Sequence, residues 1–470
     1  MDSDAEFSKR HKGYIQLSEL TLIAFSSTFF SRVLTLFKIP SIINLAHLGI
    51  IPFVFGLAIL KSRVKDRKQI KIFEEFLIAL FIFLIVNFAS ALLNDAGIIN
   101  AVVNFLFFCE HFLTLALIIY LPLTPEKFKF FRAFIIGSSF TNTIFAYTQH
   151  YVLRLHLRKG LEDNIKGVFI GGGAGHVVGA SVALTFGIYY FANAKQIPIW
   201  IRVVIVLATF WHMNMADAKQ VLLVFLVAGV LLLITKLNNI VDAIKYLGGA
   251  VFLGFALYWA IQNVPAFEAF NTWARPEIYG PEGEATLLKT ATFRLVPNYY
   301  TTPLHPFLGV GPGHTVGRLG GWMLREYESI LSPLGSTIHP ASIAVWTAVG
   351  ESWLGDQSSM FSPLFGWAGI WGDLGLLGLF SFLGIWAVVW FRLCFDDVSR
   401  FFVLTVLVFG LIFTQMEEPG YMNYVASLIA LRWQEKNVKR LYPDAPQWQV
   451  SHRKHRKSIK AWIKYFLLLD

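Results

Sequence analysis

Apolar runs of about twenty residues recur from one end of this 470-residue chain to the other, separated by short charged breaks. Twenty residues in an α-helix rise about 30 Å, the thickness of a bilayer's hydrocarbon core. With no water there to satisfy peptide groups, a helix that bonds its own backbone is the natural form for such a run. The runs fall at roughly 17–37, 42–60, 72–93, 98–121, 131–152, 168–192, 197–214, 219–235, 246–264, 364–390, 401–416 and 419–432,. They set the expectation of an all-α polytopic membrane protein with about twelve transmembrane helices. With 55% hydrophobic and only 15% charged residues, the chain carries more apolar surface than a soluble fold hides,.

Charge then orients the runs. KSRVKDRKQIK at 61–71, EKFKFFR at 126–132 and RKHRKSIKAWIKYF at 453–466 hold the densest Lys and Arg. With about twelve passes and both termini inside, all three lie on the cytoplasmic side, as the positive-inside rule requires. The leading MDSDAEFSKRHKGY carries both signs and no small-residue cleavage site, so it reads as a cytoplasmic tail and not a signal peptide,. The net charge of +10 therefore belongs to loops and lipid headgroups, and nucleic acid is not an expected partner,. The final SHRKHRKSIKAWIKYFLLLD alternates bases and apolar residues as an interfacial amphipathic helix does, or serves as a basic topology anchor,. Cys109 lies in a run and Cys394 in a short basic loop, so no disulfide framework is expected,. The organisation read this way is membrane helices over 1–264, an extracytoplasmic loop over 265–363, membrane helices over 364–432 and a basic cytoplasmic tail over 433–470.

Two segments face outward in this registration. LRLHLRKGLEDNIKG at 153–167 is basic on the side where bases are scarce; Arg154, Arg158, Lys159 and Lys166 either attract an anionic ligand or are simply solvated,. The insertion over 265–363 is far longer than an ordinary connection, and its Trp, Phe and Leu content points to packed, partly helical structure,.

Ionisable groups inside apolar runs are candidates because they are expensive there. Glu110 and His111 fall near the middle of the fourth run, as an interhelical hydrogen bond or as a relay or catalytic pair,. Arg32 and Lys38 sit close enough to a run's outer end to snorkel, and Glu417 and Glu418 read as solvated residues of the last external hairpin,. Asp217 and Lys219 open the eighth run at its outer end, where a Lys either meets a headgroup-level anion or snorkels. GGGAGHVVG at 171–179 lacks the strand and the Lys of a phosphate loop; its glycines suit close helix packing, with His176 beside them,. No His or Cys spacing suits zinc and no acidic cluster suits a divalent ion, so no metal and no cofactor are expected,.

The insertion carries ATFRLVPNYYTTPLHPFLGVGPGHTVGRLGG, then REYESILSPLGSTIHPASIAVWTAVGESWLGDQSS, and leads into MFSPLFGWAGIWGDLGLLGLF. Gly309, Gly311, Pro312 and Gly313 form a tight turn that brings backbone amides or His314 to an anion, or that only reverses the chain. The order of Arg294, GVGPG and GDLGLLG, with one large external loop between the ninth and tenth of about twelve spans, resembles the O-antigen ligase and O-antigen polymerase superfamily. Those are membrane glycosyltransferases that use polyprenyl-diphosphate-linked glycans. The architecture covers most of the chain; the residue motifs cover about 290–380 and, weakly, 214–223.

The resemblance implies a GT-C-like helical fold in the bacterial inner membrane, with the active site facing outward. It further implies a polyprenyl-diphosphate-linked glycan as donor, an acceptor glycan or lipid-linked sugar, a polysaccharide chain-length regulator as partner, and transfer with inversion. It makes Arg294 a ligand of the donor diphosphate. Lys219 stands where the family often has Arg, and offers a point charge in place of a planar fork. Arg318 and Arg325 supply further cations without a metal. Where the family's ligases carry a His-Asn pair, this chain has Ser358-Ser359, which favours a polymerase over a ligase. His305, His314, His339, Glu326, Glu328, Glu351 and Asp356 are the substitutes for a base, with His339, Glu351 and His314 foremost. The rival classes are a flippase or transporter for lipid-linked sugars, with Glu110, His111, His150 and His176 along its path, and a membrane acyltransferase using His111.

Overall fold

The computed structural model describes residues 15–62, 64, 66–158, 161–171, 174–236, 240–264, 271, 275–355, 359–445 and 459–468. Among them every regular element is a helix. The long ones are α1 (Leu17–Phe29), α2 (His47–Lys61), α3 (Arg67–Leu93), α4 (Ile98–Tyr120), α5 (Pro125–Tyr147), α6 (Gly175–Asn193), α7 (Ile199–Met215), α8 (Lys219–Ile234) and α9 (Ile240–Asn263). Within the insertion lie α10 (Glu284–Leu295) and α11 (Pro340–Glu351), followed by α12 (Gly366–Val388), α13 (Asp397–Phe409), α14 (Pro419–Leu441) and α15 (Ile459–Phe466). Several starts are written locally: Thr124 accepts from the amide of Lys127 ahead of α5, and Asp396 accepts from Ser399 ahead of α13,.

Among the described residues five helices are long and apolar enough to cross a membrane, and there are six if the pair Leu17–Phe29 and Ser31–Phe37, bent by 65°, is one span. The expected twelve is a count of apolar runs, and the other runs meet that standard less well. Ile199–Met215 and Lys219–Ile234 are shorter apolar helices. α14 is rich in polar groups, but they face protein: Asn423 accepts from Thr114 at 2.5 Å, and Gln434 donates to the Ile118 carbonyl at 2.7 Å. A helix sheathed by other helices has no need to look apolar.

α4 and α14 pack together at the centre, α6 lies against α7, α12 against α3, and α8 against α13. Tyr189, Tyr190, Tyr421 and Tyr424 are fully buried there. The bundle has two unlike ends, joined by α3. At its start, Arg440 pairs with Asp66, and Arg392 reaches Glu75 at 2.6 Å. At its finish, Asn94 donates to the Gly309 carbonyl of the insertion at 3.2 Å. The insertion is seated on the bundle: Leu319, Met323, Leu324 and Leu331 cluster with Val103 and Phe107 of α4. Gly97 donates to Thr337 at 3.2 Å. Its own helices share Ala285, Leu288, Val349 and Phe361, and Lys289 ties α10 to the Ile412 carbonyl at 2.8 Å.

Candidate functional site

The GVGPGHT loop lies against a break in α12. Gly375 has φ +63, so the helix interrupts there and leaves carbonyls one turn earlier without their usual partners,. Val310 donates to the Gly372 carbonyl at 2.9 Å and Gly311 to the Asp373 carbonyl at 3.1 Å. The approach is close enough that a β-carbon at Gly309, itself at φ +70, would stand 2.3 Å from the Asp373 carbonyl carbon. Only glycine fits both faces of this joint. The Asp373 side chain completes it, accepting from the Gly313 amide, the Thr315 amide and the Thr315 hydroxyl at 2.8, 2.8 and 2.6 Å. What the loop's amides hold is therefore the protein's own Asp373 side chain. The expectation that the amides of this turn face a ligand is corrected: Gly309 donates to the His305 carbonyl, Gly311 to the Asp373 carbonyl and Gly313 to the Asp373 carboxyl, and Pro312 has no N–H to offer.

Directly beyond the loop is a buried junction of charges. The Arg318 amide donates to Glu417 at 2.6 Å, and its guanidinium pairs with Glu418. Glu418 also takes Arg32 at 2.8 Å. Arg318 lies over the rings of Phe107 and Trp322, at 5.6 and 5.3 Å from their centroids,. Glu417 and Asp373 both flank Gly317, where a β-carbon would stand 3.3 Å from one carboxylate and 3.8 Å from the other. Burial pushes the Glu417 carboxyl up to about 8 despite the Arg318 amide and guanidinium, with Asp373 adding to the rise. Burial also opposes ionisation of Glu418, but Arg318 and Arg32 outweigh it and bring that carboxyl down to about 2. Glu417 and Glu418 are only 1% and 5% exposed, so the solvated hairpin expected of them is wrong, and Arg32 is paired and does not snorkel. About one turn along α4 from Phe107, Glu110 pairs with His47 at 2.5 Å, which realises the helix-to-helix reading of Glu110; both ring nitrogens of His111 are buried without a partner.

The loop's three histidines are held as neutral rings. His305 Nδ1 accepts from the amides of Thr301 and Thr302, and Nε2 faces the Asn94 side-chain oxygen at 2.9 Å. His314 Nδ1 faces the Val310 carbonyl at 2.7 Å and so carries the hydrogen, which leaves Nε2 to accept from Thr337 at 2.8 Å. Burial holds His314 down at about 4, with the nearby His339 adding to the effect. His339 stacks on His314 at 5.1 Å, and burial lowers it too. His339 Nδ1 caps α11 by accepting from Ala341 at 3.1 Å, so in this arrangement Nε2 bears the hydrogen and offers a donor,. Glu351, at the other end of α11, is exposed.

The other expected ligands of a diphosphate lie apart. Arg294 is exposed and bonds back onto its own helix, to Thr290 at 3.2 Å and the Leu287 carbonyl at 2.7 Å. Lys219 pairs with Asp217 at 2.6 Å. Arg325 lies 4.0 Å over the Trp346 ring and reaches the Gly321 carbonyl. Arg318 is committed to Glu418, which corrects its expected role as a direct ligand. Lys159, Asp356 and Ser358 lie outside the described residues.

The segment 153–167 borders a cavity of about 420 Å³. Its wall is apolar through Ile144, Phe145, Leu153, Leu155 and Ile170, with Gln149 and Lys166 at one side. Burial lowers the Lys166 ammonium, Asp163 raises it, and Arg32 lowers it again. Of the glycines at 171–179, Gly179 lets α6 approach the backbone of the 153–167 segment and not another helix: a β-carbon there would stand 2.6 Å from the Lys166 carbonyl oxygen. Among the described residues, no group of three His, Cys, Asp or Glu is placed to hold a metal.

No protein-family model, curated protein or solved structure matches this chain.

Proposed function

We propose that the chain is a membrane glycosyltransferase of the O-antigen polymerase kind, moving a glycan from a polyprenyl diphosphate onto an acceptor sugar without a metal. The observation that carries this reading is the joint between the GVGPGHT loop and α12. The two motifs on which the resemblance rests, about sixty residues apart, form one hydrogen-bonded unit through Asp373. The apolar cavity with Lys166 at its edge adds to it, because a lipid-linked anion presents a hydrocarbon chain and a negative head together,.

In this reading the acceptor oxygen attacks the anomeric carbon, the carbon–oxygen bond to the diphosphate breaks, and the diphosphate leaves with the electron pair. Arg294, the diphosphate ligand that the resemblance implies, and Lys166 at the edge of the apolar cavity offset its charge,. Glu351 is the exposed acceptor for the proton released by the hydroxyl, since His339 presents a donor and His314 is occupied. The finer reading keeps about twelve passes, a GT-C-like arrangement and an outward-facing insertion, with a ligase as the alternative acceptor chemistry.

Purified protein in liposomes, given a synthetic polyprenyl-diphosphate-linked repeat unit, is expected to yield lengthened glycan with or without EDTA. Arg294→Ala is expected to reduce the yield at least tenfold while the protein stays folded. Recovery of unchanged repeat units overturns the reading. Their movement across the bilayer without transfer favours a flippase, to which the buried acids Glu110, Asp373 and Glu417 would then belong.

A further inference from the structure

α15 lies in the basic tail beyond α14, and its apolar residues Trp462, Ile463 and Phe466 lie on one stripe of the helix,. The two ends of that stripe meet different surroundings. At the C-terminal end the stripe is docked on the bundle. Arg132 donates to the Leu468 carbonyl at 2.7 Å, Tyr190 to the Phe466 carbonyl at 3.0 Å and Tyr465 to the Gln196 carbonyl at 3.2 Å. Leu468 is buried, and a β-carbon at Gly137 of α5 would already touch Leu467, at 3.6 Å. At the N-terminal end the same stripe runs off the protein: Trp462 and Ile463 are 45% and 53% exposed, with Lys464 exposed beside them.

The neighbouring surface has the same mixed character. Phe130, Ile199 and Trp200 are exposed at the starts of α5 and α7, and Lys127 and Lys195 are exposed among them. Aromatic rings and lysines together at the ends of membrane-spanning helices are the composition of a headgroup layer. The tail is also strongly basic: from Ser451 to Asp470 the sequence has six Lys or Arg against the single acid Asp470.

We propose that α15 docks on the surface of an anionic phospholipid bilayer. Trp462 and Ile463 enter the headgroup layer, Lys464 faces its phosphates, and the Arg132 contact keeps the helix in the membrane plane beside α5 and α6. Anionic lipid is the occupant because the uncovered stripe is flanked by bases, and hydrophobic insertion and charge attraction strengthen one another on such a surface. This inference is independent of the glycan-transfer reading.

The test uses the full chain as Ile463→Cys, labelled with an environment-sensitive fluorophore; Cys109 and Cys394 are buried and contribute little background. The protein is placed in nanodiscs of phosphatidylcholine alone or with about a third phosphatidylglycerol. Expected is a blue-shifted emission in the anionic discs, quenched by lipid spin-labelled near the headgroup, with the shift at least halved by Lys464→Glu. A probe reporting water in both discs overturns the proposal. Equal blue shifts in both discs, or no effect of Lys464→Glu on a protein that elutes as a folded monodisperse species, overturn it as well.

Discussion

The two ends of the bundle handle charge in opposite ways. Where the insertion sits, Arg318, Glu417 and Glu418 are buried, and Arg32 is nearly so. At the other end Arg392 with Glu75, and Arg440 with Asp66, pair with one or both partners largely open to solvent. Water screens the second kind, so each pair contributes little; the first kind has given up its hydration and depends on its partners. The Arg392 and Arg440 pairs lie on a surface that tolerates change, and the insertion end is a joint that does not.

The comparison breaks most readily at Glu418. Glu418→Ala leaves Arg318 and Arg32 buried without their counter-ion, and an expected loss of about 3–5 kcal/mol should appear in thermal unfolding of the purified protein. A loss no larger than at the basic end would erase the contrast. Asp373→Ala removes the acceptor of three loop hydrogen bonds, and about 3 kcal/mol is expected by the same measurement, with Asp373→Asn less harmful because it keeps part of the acceptor.

Acidity sharpens the contrast further. The fold holds Glu417 protonated up to about pH 8, whereas an unfolded Glu ionises near 4.5. Its raised value means that the contribution is complete below pH 4.5 and fades as pH rises through about 8. Glu417's own contribution should fall by roughly 1.4 kcal/mol per pH unit across that window, and the difference in stability between the unaltered protein and Glu417→Gln should change with pH by that amount. Glu418 has the opposite sign: its contribution is complete above 4.5 and is lost as pH falls through about 2. The smallest effect belongs to the basic end, where Arg392→Ala should cost under about 1 kcal/mol and less at high salt.

These contrasts bear on how much could be read from the chain alone. The helical membrane character, the apolar runs and the irregular loop at 309–313 are legible, because hydropathy and glycine spacing are local properties. The junction is not. Glu417 and Glu418 follow an apolar run at a turn, which reads as a solvated hairpin until Arg318 and Arg32, about a hundred and nearly four hundred residues away, arrive beside them. Asp373 had a usable signal: an acid between Gly372 and Leu374 within an otherwise apolar run is costly enough to demand a partner,. Its partners, the amides of Gly313 and Thr315, carry no side-chain signature. Arg294 and Lys219 illustrate the reverse case, since both stand at motif positions yet each has a different neighbour.

The two ends are expected to face opposite sides of one membrane, with the joint on the outer side. Single-cysteine proteins at Ser332 in the insertion and at Lys464 in α15, both exposed, can be treated in intact cells with a membrane-impermeant maleimide. Labelling at position 332 without permeabilisation, and at 464 only after it, is the predicted result. Labelling of 464 from outside, or of both positions from one side, would contradict it.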